Sequence, residues 1–158
     1  MNEIDKTIKT IQVGNFYLIH DGSKSGHPGY VLWLNNEFNL YLLAKFGTTP
    51  NEHNIHFPHP VGKNIEHSYL YKKLFLGKRR DLGKKQFTDM KIQQKDVNFI
   101  LKNTNLSEPT ESKSINRKDR RRYKKTLFQG QLSDQMVLHD IYKVIKSHKN
   151  VKQKVLNK

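Results

Sequence analysis

A histidine followed by proline is the first position at which this sequence could carry out chemistry. His27 lies in SKSGHPGYVLWL, where a glycine- and serine-containing stretch ends and an apolar segment begins. Imidazole has an unperturbed pKa near neutrality, and loops at strand ends frequently carry functional side chains. We therefore interpret His27 as a candidate general acid or base. The competing interpretation is a surface loop histidine with no role.

Three further histidines, His53, His56 and His59, recur at every third position. Pro58 and Pro60 exclude the helix that would bring the three side chains to one face, and in a strand residues i and i+3 point to opposite sides. This spacing disfavours a metal site. The remaining interpretations are that these histidines bind or cleave RNA, or that they are loop residues without a functional role.

The cations of the chain are concentrated in its second half. The formal net charge is +15, but residues 1–70 hold 5 Lys and Arg against 6 Asp and Glu, whereas residues 71–158 hold 24 against 8. A positive electrostatic field of this size attracts polyanions, because each phosphate of a nucleic acid that the protein neutralises releases condensed counterions. RNA, DNA and acidic membrane surfaces are the candidates, and a generic solubilising surface is the alternative.

Two clusters hold most of these cations. Aromatic residues interleave the first cluster and could stack on unpaired bases. The second holds seven cations and one acid, so it would repel itself as an isolated helix and would be stabilised by a polyanion or by an acidic protein partner. The predicted nucleic-acid-binding residues are Lys24, Lys72, Lys73, Lys78, Arg79, Arg80, Lys84, Lys85, Arg117, Lys118, Arg120, Arg121, Arg122, Lys124 and Lys125.

The composition excludes several function classes. The chain has no cysteine, which removes disulfides, thiolate nucleophiles and zinc sites with sulfur ligands. The first residues include Glu3 and Asp5, and no run of about 18 apolar residues is long enough to span a bilayer. We expect a cytoplasmic protein that uses no cofactor and no metal and does not contact a membrane.

Strand-forming residues dominate the first part of the chain and helix signals the last part. The segments VGNFYLIH, GYVLWL and NLYLLAKF predict strands, with a hairpin across Asn35 to Asn39, and a short edge strand is predicted around His53 to Phe57. A strand is predicted over 68–76, a basic turn over GKRRDLGKK, and a helix with Val97, Ile100 and Leu101 on one face. We predict a domain over 1–105, a linker over 106–116 and a basic helical hairpin over 117–158, its first helix capped by Ser114 or Asn116.

The order of these motifs resembles the PemK/MazF family of toxin endoribonucleases. GNFYLIH matches the family's opening strand, His27-Pro28 stands at its Arg-Pro step, and NLYLLAKFGTT ends in a Thr pair as its later strand does. SYLYKKLFLGKRRDLGKKQFTDMKIQQKDVNFI follows the order of strand, basic residues, glycine and helix. The resemblance covers about two thirds of the chain and implies an α+β fold, a small SH3-like β-barrel with a closing helix. Histidine replaces the catalytic arginine of the family.

The resemblance also implies an activity and a set of catalytic residues. RNA cleavage without metal needs a base for the 2′-OH proton, donors for the charged phosphorane and an acid for the 5′-oxygen. The predicted catalytic residues are His27, Thr48, Thr49, His56 and His59. The implied partners are single-stranded RNA, an acidic antitoxin and a second copy of the chain. The alternatives are a nucleic-acid-binding module without catalysis and a phage or mobile-element protein that binds and inhibits a host protein.

Overall fold

The structure is a computed structural model that describes residues 10–62, 65–86 and 92–156; the side chains of residues 85, 86 and 148–156 are not described. Its strands are β1 (Phe16–Ile19), β2 (His27–Asn35), β3 (Leu40–Gly47), β4 (Asn54–His56), β5 (Tyr69–Tyr71), β6 (Phe75–Gly77), β7 (Leu82–Gln86) and β8 (Thr110–Glu111). Its α-helices are α1 (Gln94–Lys102), α2 (Arg117–Phe128) and α3 (Asp134–Leu156). The predicted α+β class is confirmed. Within the described part of the chain, no helix is both long and apolar enough to cross a bilayer.

The β2–β3 hairpin is the centre of the sheet. Its register places Asn35 opposite Leu40 and Gly29 opposite Lys45. Asn35 Oδ1 accepts a hydrogen bond from the backbone N–H of Phe38 at 3.1 Å, and Asn39 adopts φ 55°, a left-handed conformation that asparagine tolerates. The hairpin predicted across Asn35 to Asn39 is therefore confirmed.

The sheet is open rather than closed into a barrel. Its path runs β4-β5-β3-β2-β1-β7, and the outer edge of β3 is shared, because residues 41–43 pair with β6 and residues 46–47 pair with β5. Strands β4 and β7 end this path without pairing with each other among the described residues. A closed barrel with α1 as its closing helix is therefore not observed, and the likeness to an SH3-like barrel stays a prediction.

The two faces of β3 belong to different cores, because successive side chains of a strand point to opposite faces. Leu40, Leu42, Ala44 and Phe46 pack in the larger core, which the three helices cover. Tyr41 and Leu43 pack in a smaller core on the other face, together with residues of β1, β2, β6 and β7. Lys45 follows on this second face, beyond the apolar residues.

The predicted helices are confirmed. Val97, Ile100 and Leu101 of α1 are buried, as their spacing predicted. Asn116 caps α2: its side chain accepts a hydrogen bond from the backbone N–H of Asp119 at 2.9 Å, and Asp119 Oδ2 accepts one from the N–H of Asn116 at 3.1 Å. This reciprocal arrangement satisfies two backbone donors at the helix start.

Three segments differ from their predicted form. The strand expected over 68–76 is split into β5 and β6 by residues 72–74, and the basic segment expected to be a turn forms a 3-10 turn at Arg79–Asp81 followed by β7. The expected linker contributes β8, which pairs in parallel with β6, and Ile115, which is buried in the larger core. The division into 1–105, 106–116 and 117–158 stays a prediction, but 106–116 packs on the sheet and is not a free connection.

Candidate active site

Strand register brings His27 and two side chains from neighbouring strands to one face of the sheet. His27 lies two residues before Gly29, the partner of Lys45, and Gly47 is the partner of Tyr69. Lys45 Nζ lies 4.4 Å from the centroid of the Tyr71 ring, and the rings of His27 and Tyr71 make an edge contact with centroids 5.5 Å apart. Three strands therefore position His27, Lys45 and Tyr71 as one group.

A short loop between β1 and β2 supplies the carboxylate of this group. The loop turns back at Asp21, whose Oδ1 accepts hydrogen bonds from the backbone N–H of Ser23 at 3.2 Å and from its hydroxyl at 2.6 Å. Asp21 Oδ2 faces His27 Nδ1 and Lys45 Nζ, each at 2.6 Å. The side chain of Asp21 is only 8% exposed, so both carboxylate oxygens are used inside the protein.

The ionisation of Asp21 fixes the role of each nitrogen of His27. Burial raises the pKa of the Asp21 carboxyl, but hydrogen bonds from Lys45 and Ser23 and the positive charge of Lys45 lower it by more, so its pKa lies well below 3.8. An ionised carboxylate only accepts hydrogen bonds, so we assign the proton on the facing side to His27 Nδ1. In the neutral form of the ring, this tautomer places the lone pair on Nε2.

A cavity of about 650 Å³ opens beside this group, and both Asp21 and Tyr71 line it. His27 contacts these two residues but does not line the cavity itself. Four lysines contribute to the wall, as do His20 and His53. The lysines are Lys45, Lys72, Lys73 and Lys113.

Four carboxylates also line the cavity, and each of them has a described partner. Asp21 is held by Lys45 and His27, Glu111 accepts hydrogen bonds from Arg120 Nε at 2.8 and 2.9 Å, and Asp81 accepts hydrogen bonds from the hydroxyls of Ser112 and Ser114. Glu52 lies at the exposed edge beside His53, with its oxygen 3.3 Å from Nε2. Lys73 and Lys113 are exposed and have no described acidic partner, and the exposed ammonium group of Lys72 donates to the backbone carbonyl of Glu52 at 3.0 Å. These three cations border the cavity and could contact a phosphate.

The other predicted catalytic residues lie outside the wall of this cavity. Thr48 and Thr49 are exposed beyond the end of β3. His56 pairs with Tyr69 across β4 and β5 on the His27 face of the sheet, and its Nε2 lies 3.5 Å from Nδ1 of His67. His59 contacts Asp96 at the start of α1, with Nε2 and Oδ2 3.0 Å apart. The catalytic roles of these four residues stay predictions.

The predicted nucleic-acid-binding residues separate into exposed and internally paired cations. Lys24, Lys72, Lys73, Arg80, Lys84 and most cations of α2 are exposed. Lys78 is largely buried, donating to Asp119 Oδ1 at 2.8 Å and to the carbonyl of Phe38 at 3.1 Å, and Arg79 donates to the carbonyl of Leu82 at 2.8 Å. The side chain of Lys85 lies outside the described residues. Lys78 and Arg79 therefore serve the packing of the fold.

The sequence predicts a catalytic role for His27, and that role stays a prediction. The neighbours that the structure gives to His27 and its group, Asp21, Ser23, Lys45 and Tyr71, were not predicted. One usable signal was Lys45 itself, which occupies the same strand phase as the buried Tyr41 and Leu43. A charge on the apolar phase of a strand requires a partner. No such signal marks Tyr71, whose place follows only from the pairing of β3 with β5.

Comparison of the chain with family models, with curated proteins and with solved structures returned no match. Within residues 10–62, 65–86 and 92–156, no three His, Cys, Asp or Glu side chains are grouped closely enough to hold a metal ion.

Proposed function

We propose that this protein is a metal-independent endoribonuclease that acts on single-stranded RNA, with its reaction centre at the Asp21–His27–Lys45 group. One observation carries the proposal: the buried, ionised carboxylate of Asp21 holds His27 Nδ1 at 2.6 Å beside a cavity with exposed lysines. A carboxylate that orients an imidazole in this way fixes its tautomer and prepares Nε2 to act as a general base.

In the proposed reaction, His27 Nε2 accepts the proton of the ribose 2′-OH. The 2′-oxygen then attacks the adjacent phosphorus, the bond from phosphorus to the 5′-oxygen breaks, and a second group donates a proton to that oxygen. The products are a 2′,3′-cyclic phosphate and a 5′-hydroxyl. Asp21 stabilises the imidazolium that forms at His27, because its negative charge is held in contact with Nδ1.

The walls of the cavity supply the remaining functions. Lys72, Lys73 and Lys113 can stabilise the charge of the phosphorane, since they are exposed there and the neighbouring carboxylates have partners within the protein. His20 and His53 line the same cavity, and both are exposed. We assign the general acid to one of this pair, because both border the cavity that adjoins His27; the acid roles of His56 and His59 stay predictions.

The resemblance to the PemK/MazF toxins supports the same reaction class. The succession of β1, the His27-Pro28 step, the β2–β3 hairpin, the Thr pair and a following basic segment and helix is the order on which that resemblance rests. We extend the proposal to a sheet related to the SH3-like barrel, to an acidic antitoxin as inhibitor and to a homodimer. None of these is needed for the chemistry at His27.

The test is incubation of the purified protein with a long single-stranded RNA in excess EDTA, followed by analysis of the product ends. We expect internal cleavage with 2′,3′-cyclic phosphate and 5′-hydroxyl ends, and no cleavage of DNA of the same sequence, because DNA lacks the attacking hydroxyl. Cleavage that disappears in EDTA, or products with 3′-hydroxyl ends, would contradict the proposal.

A second candidate function is nucleic-acid binding without cleavage. The observation that favours it is the exposed row of cations on α2, which does not line the cavity and needs no chemistry to bind a polyanion. Under this alternative the RNA remains intact in EDTA and is retained at low salt.

A further inference from the structure

Helix α2 presents five cations on one face. Successive residues of an α-helix are rotated by about 100°, so these five positions lie within an arc of about 120°. All five are exposed, and none has an ion pair with a described acid. They are Arg117, Lys118, Arg121, Lys124 and Lys125, and we call them the α2 cationic face.

An aromatic side chain lies within the same arc. Phe128 is the last residue of α2, and its position falls between those of Arg117 and Arg121 around the helix axis. It is 92% exposed, far more than Met136 at 40% or Tyr142 at 50% on α3. An almost fully exposed phenyl ring in a row of cations is a combination with which proteins bind single-stranded nucleic acids, because bases stack on the ring while phosphates contact the charges.

The opposite side of α2 is anchored in the fold. Tyr123 and Thr126 are buried, and the Tyr123 ring packs edge-on against Trp33 with centroids 5.9 Å apart. Lys78 binds Asp119, and the Arg122 guanidinium lies 4.3 Å from the centroid of the Phe38 ring. The cationic face is therefore held in a fixed orientation on the surface.

The cations of this face destabilise helix α2, which indicates that they are kept for a function. Arg117 and Lys118 stand in the first turn, where the helix dipole disfavours positive charge. Arg117 with Arg121 and Arg121 with Lys125 are like charges four residues apart, and each such pair destabilises a helix. Residues that conflict with their local structure are expected at functional positions.

We propose that the α2 cationic face with Phe128 is a second binding surface for single-stranded RNA, outside the cavity, on which Phe128 stacks against an unpaired base. The proposal rests on the proposed function only in taking RNA as the ligand, and it does not require cleavage. Stacking of a base on Phe128 is specific to a nucleic acid, because an acidic polypeptide pairs with the lysines and arginines but offers no base to the ring.

The experiment measures the affinity of a 12-nucleotide single-stranded 2′-O-methyl RNA by fluorescence anisotropy over a range of salt concentrations. This probe cannot be cleaved by attack of a 2′-OH, so binding is separated from catalysis. We expect Phe128→Ala to weaken binding about tenfold with an unchanged salt dependence, since stacking is worth about 1–3 kcal/mol per base. The matched control is Tyr142→Ala, a half-exposed aromatic residue on α3, which should change affinity less than twofold.

A triple variant, Lys118→Gln with Arg121→Gln and Lys124→Gln, tests the charges. It should lower the slope of log affinity against log salt by about 2, because each contact with a single-stranded phosphate contributes about 0.7. Equal effects of Phe128→Ala and Tyr142→Ala, or an unchanged slope in the triple variant, would overturn the proposal.

The two proposals fail separately. If the variants change binding as expected but the wild type leaves cleavable RNA intact, the second binding surface is supported and the ribonuclease proposal is contradicted. If the wild type cleaves RNA but Phe128→Ala binds the probe as tightly as the wild type does, the ribonuclease proposal is supported and the second binding surface is contradicted.

Discussion

At the scale of single residues, Asp21 organises the candidate active site. It accepts hydrogen bonds from His27, Lys45 and Ser23, and no other described carboxylate receives both a lysine and a histidine at 2.6 Å. His27 was recognisable from its type and its place before a strand. Its partners were not recognisable, because the loop between β1 and β2 brings Asp21 to His27 and the pairing of β2 with β3 brings Lys45 there. Both relations depend on three-dimensional register rather than on sequence spacing.

The low pKa of Asp21 leads to a prediction about stability and pH. A carboxyl whose folded-state pKa lies below its unfolded value stabilises the protein above the unfolded pKa, and this contribution is lost as pH falls towards the folded pKa. The usual value here is 3.8. We expect Asp21→Asn to lower the free energy of unfolding most at neutral pH, with the difference from wild type constant down to about pH 5 and shrinking below about pH 4.

Urea unfolding of both proteins between pH 3 and pH 7 measures this difference. Ser25→Ala provides a control from the same loop, since that side chain is exposed and makes no described hydrogen bond; its difference from wild type should stay near zero at every pH. A difference for Asp21→Asn that is independent of pH would show that the carboxyl is not ionised through these contacts.

At the scale of elements, prediction from sequence succeeded where one local pattern determined the structure. The β2–β3 hairpin follows from two apolar segments around an Asn-rich turn, and α1 follows from the spacing of Val97, Ile100 and Leu101. β7 was missed because LGKKQ carries lysines typical of an edge, and β7 does end the path of the sheet. β8 was missed because a segment of two residues next to Pro109 is too short to show the alternation of a strand. Only its pairing with β6 makes it a strand.

The N-terminus of α2 gives a prediction at the same scale. Asn116→Ala removes the side-chain acceptor for the Asp119 backbone N–H and should lower the free energy of unfolding by about 1 kcal/mol. Asn116→Asp keeps an acceptor and should remain within a few tenths of a kcal/mol of wild type. Chemical unfolding at neutral pH measures both. Equal losses in the two variants would mean that the cap does not stabilise α2.

At the scale of the whole molecule, the charge asymmetry of the sequence becomes two separate surfaces. Lys72, Lys73 and Lys113 border the cavity beside His27, whereas the α2 cationic face lies on the helical layer. The sequence predicted both basic clusters as binding residues. It could not predict that Lys78 and Arg79 would be paired within the protein. Lys78 contacts Asp119, which is distant in the sequence, and Arg79 donates to the backbone carbonyl of Leu82, which no side-chain pattern marks.

The proposed reaction depends on His27 held by Asp21, and the chain contains a matched control for this pair. His139 and Asp140 form another histidine–aspartate contact, 3.5 Å apart and exposed on α3, away from the cavity lining. The decisive measurement is the initial rate of single-stranded RNA cleavage in EDTA by wild type, His27→Ala, His27→Gln and His139→Ala, with folding of each variant checked by its melting temperature. We expect both His27 variants to lose at least about 100-fold in rate, the usual scale for removing a general base, and His139→Ala to cleave like wild type. Cleavage by folded His27 variants at the wild-type rate would contradict the proposed reaction.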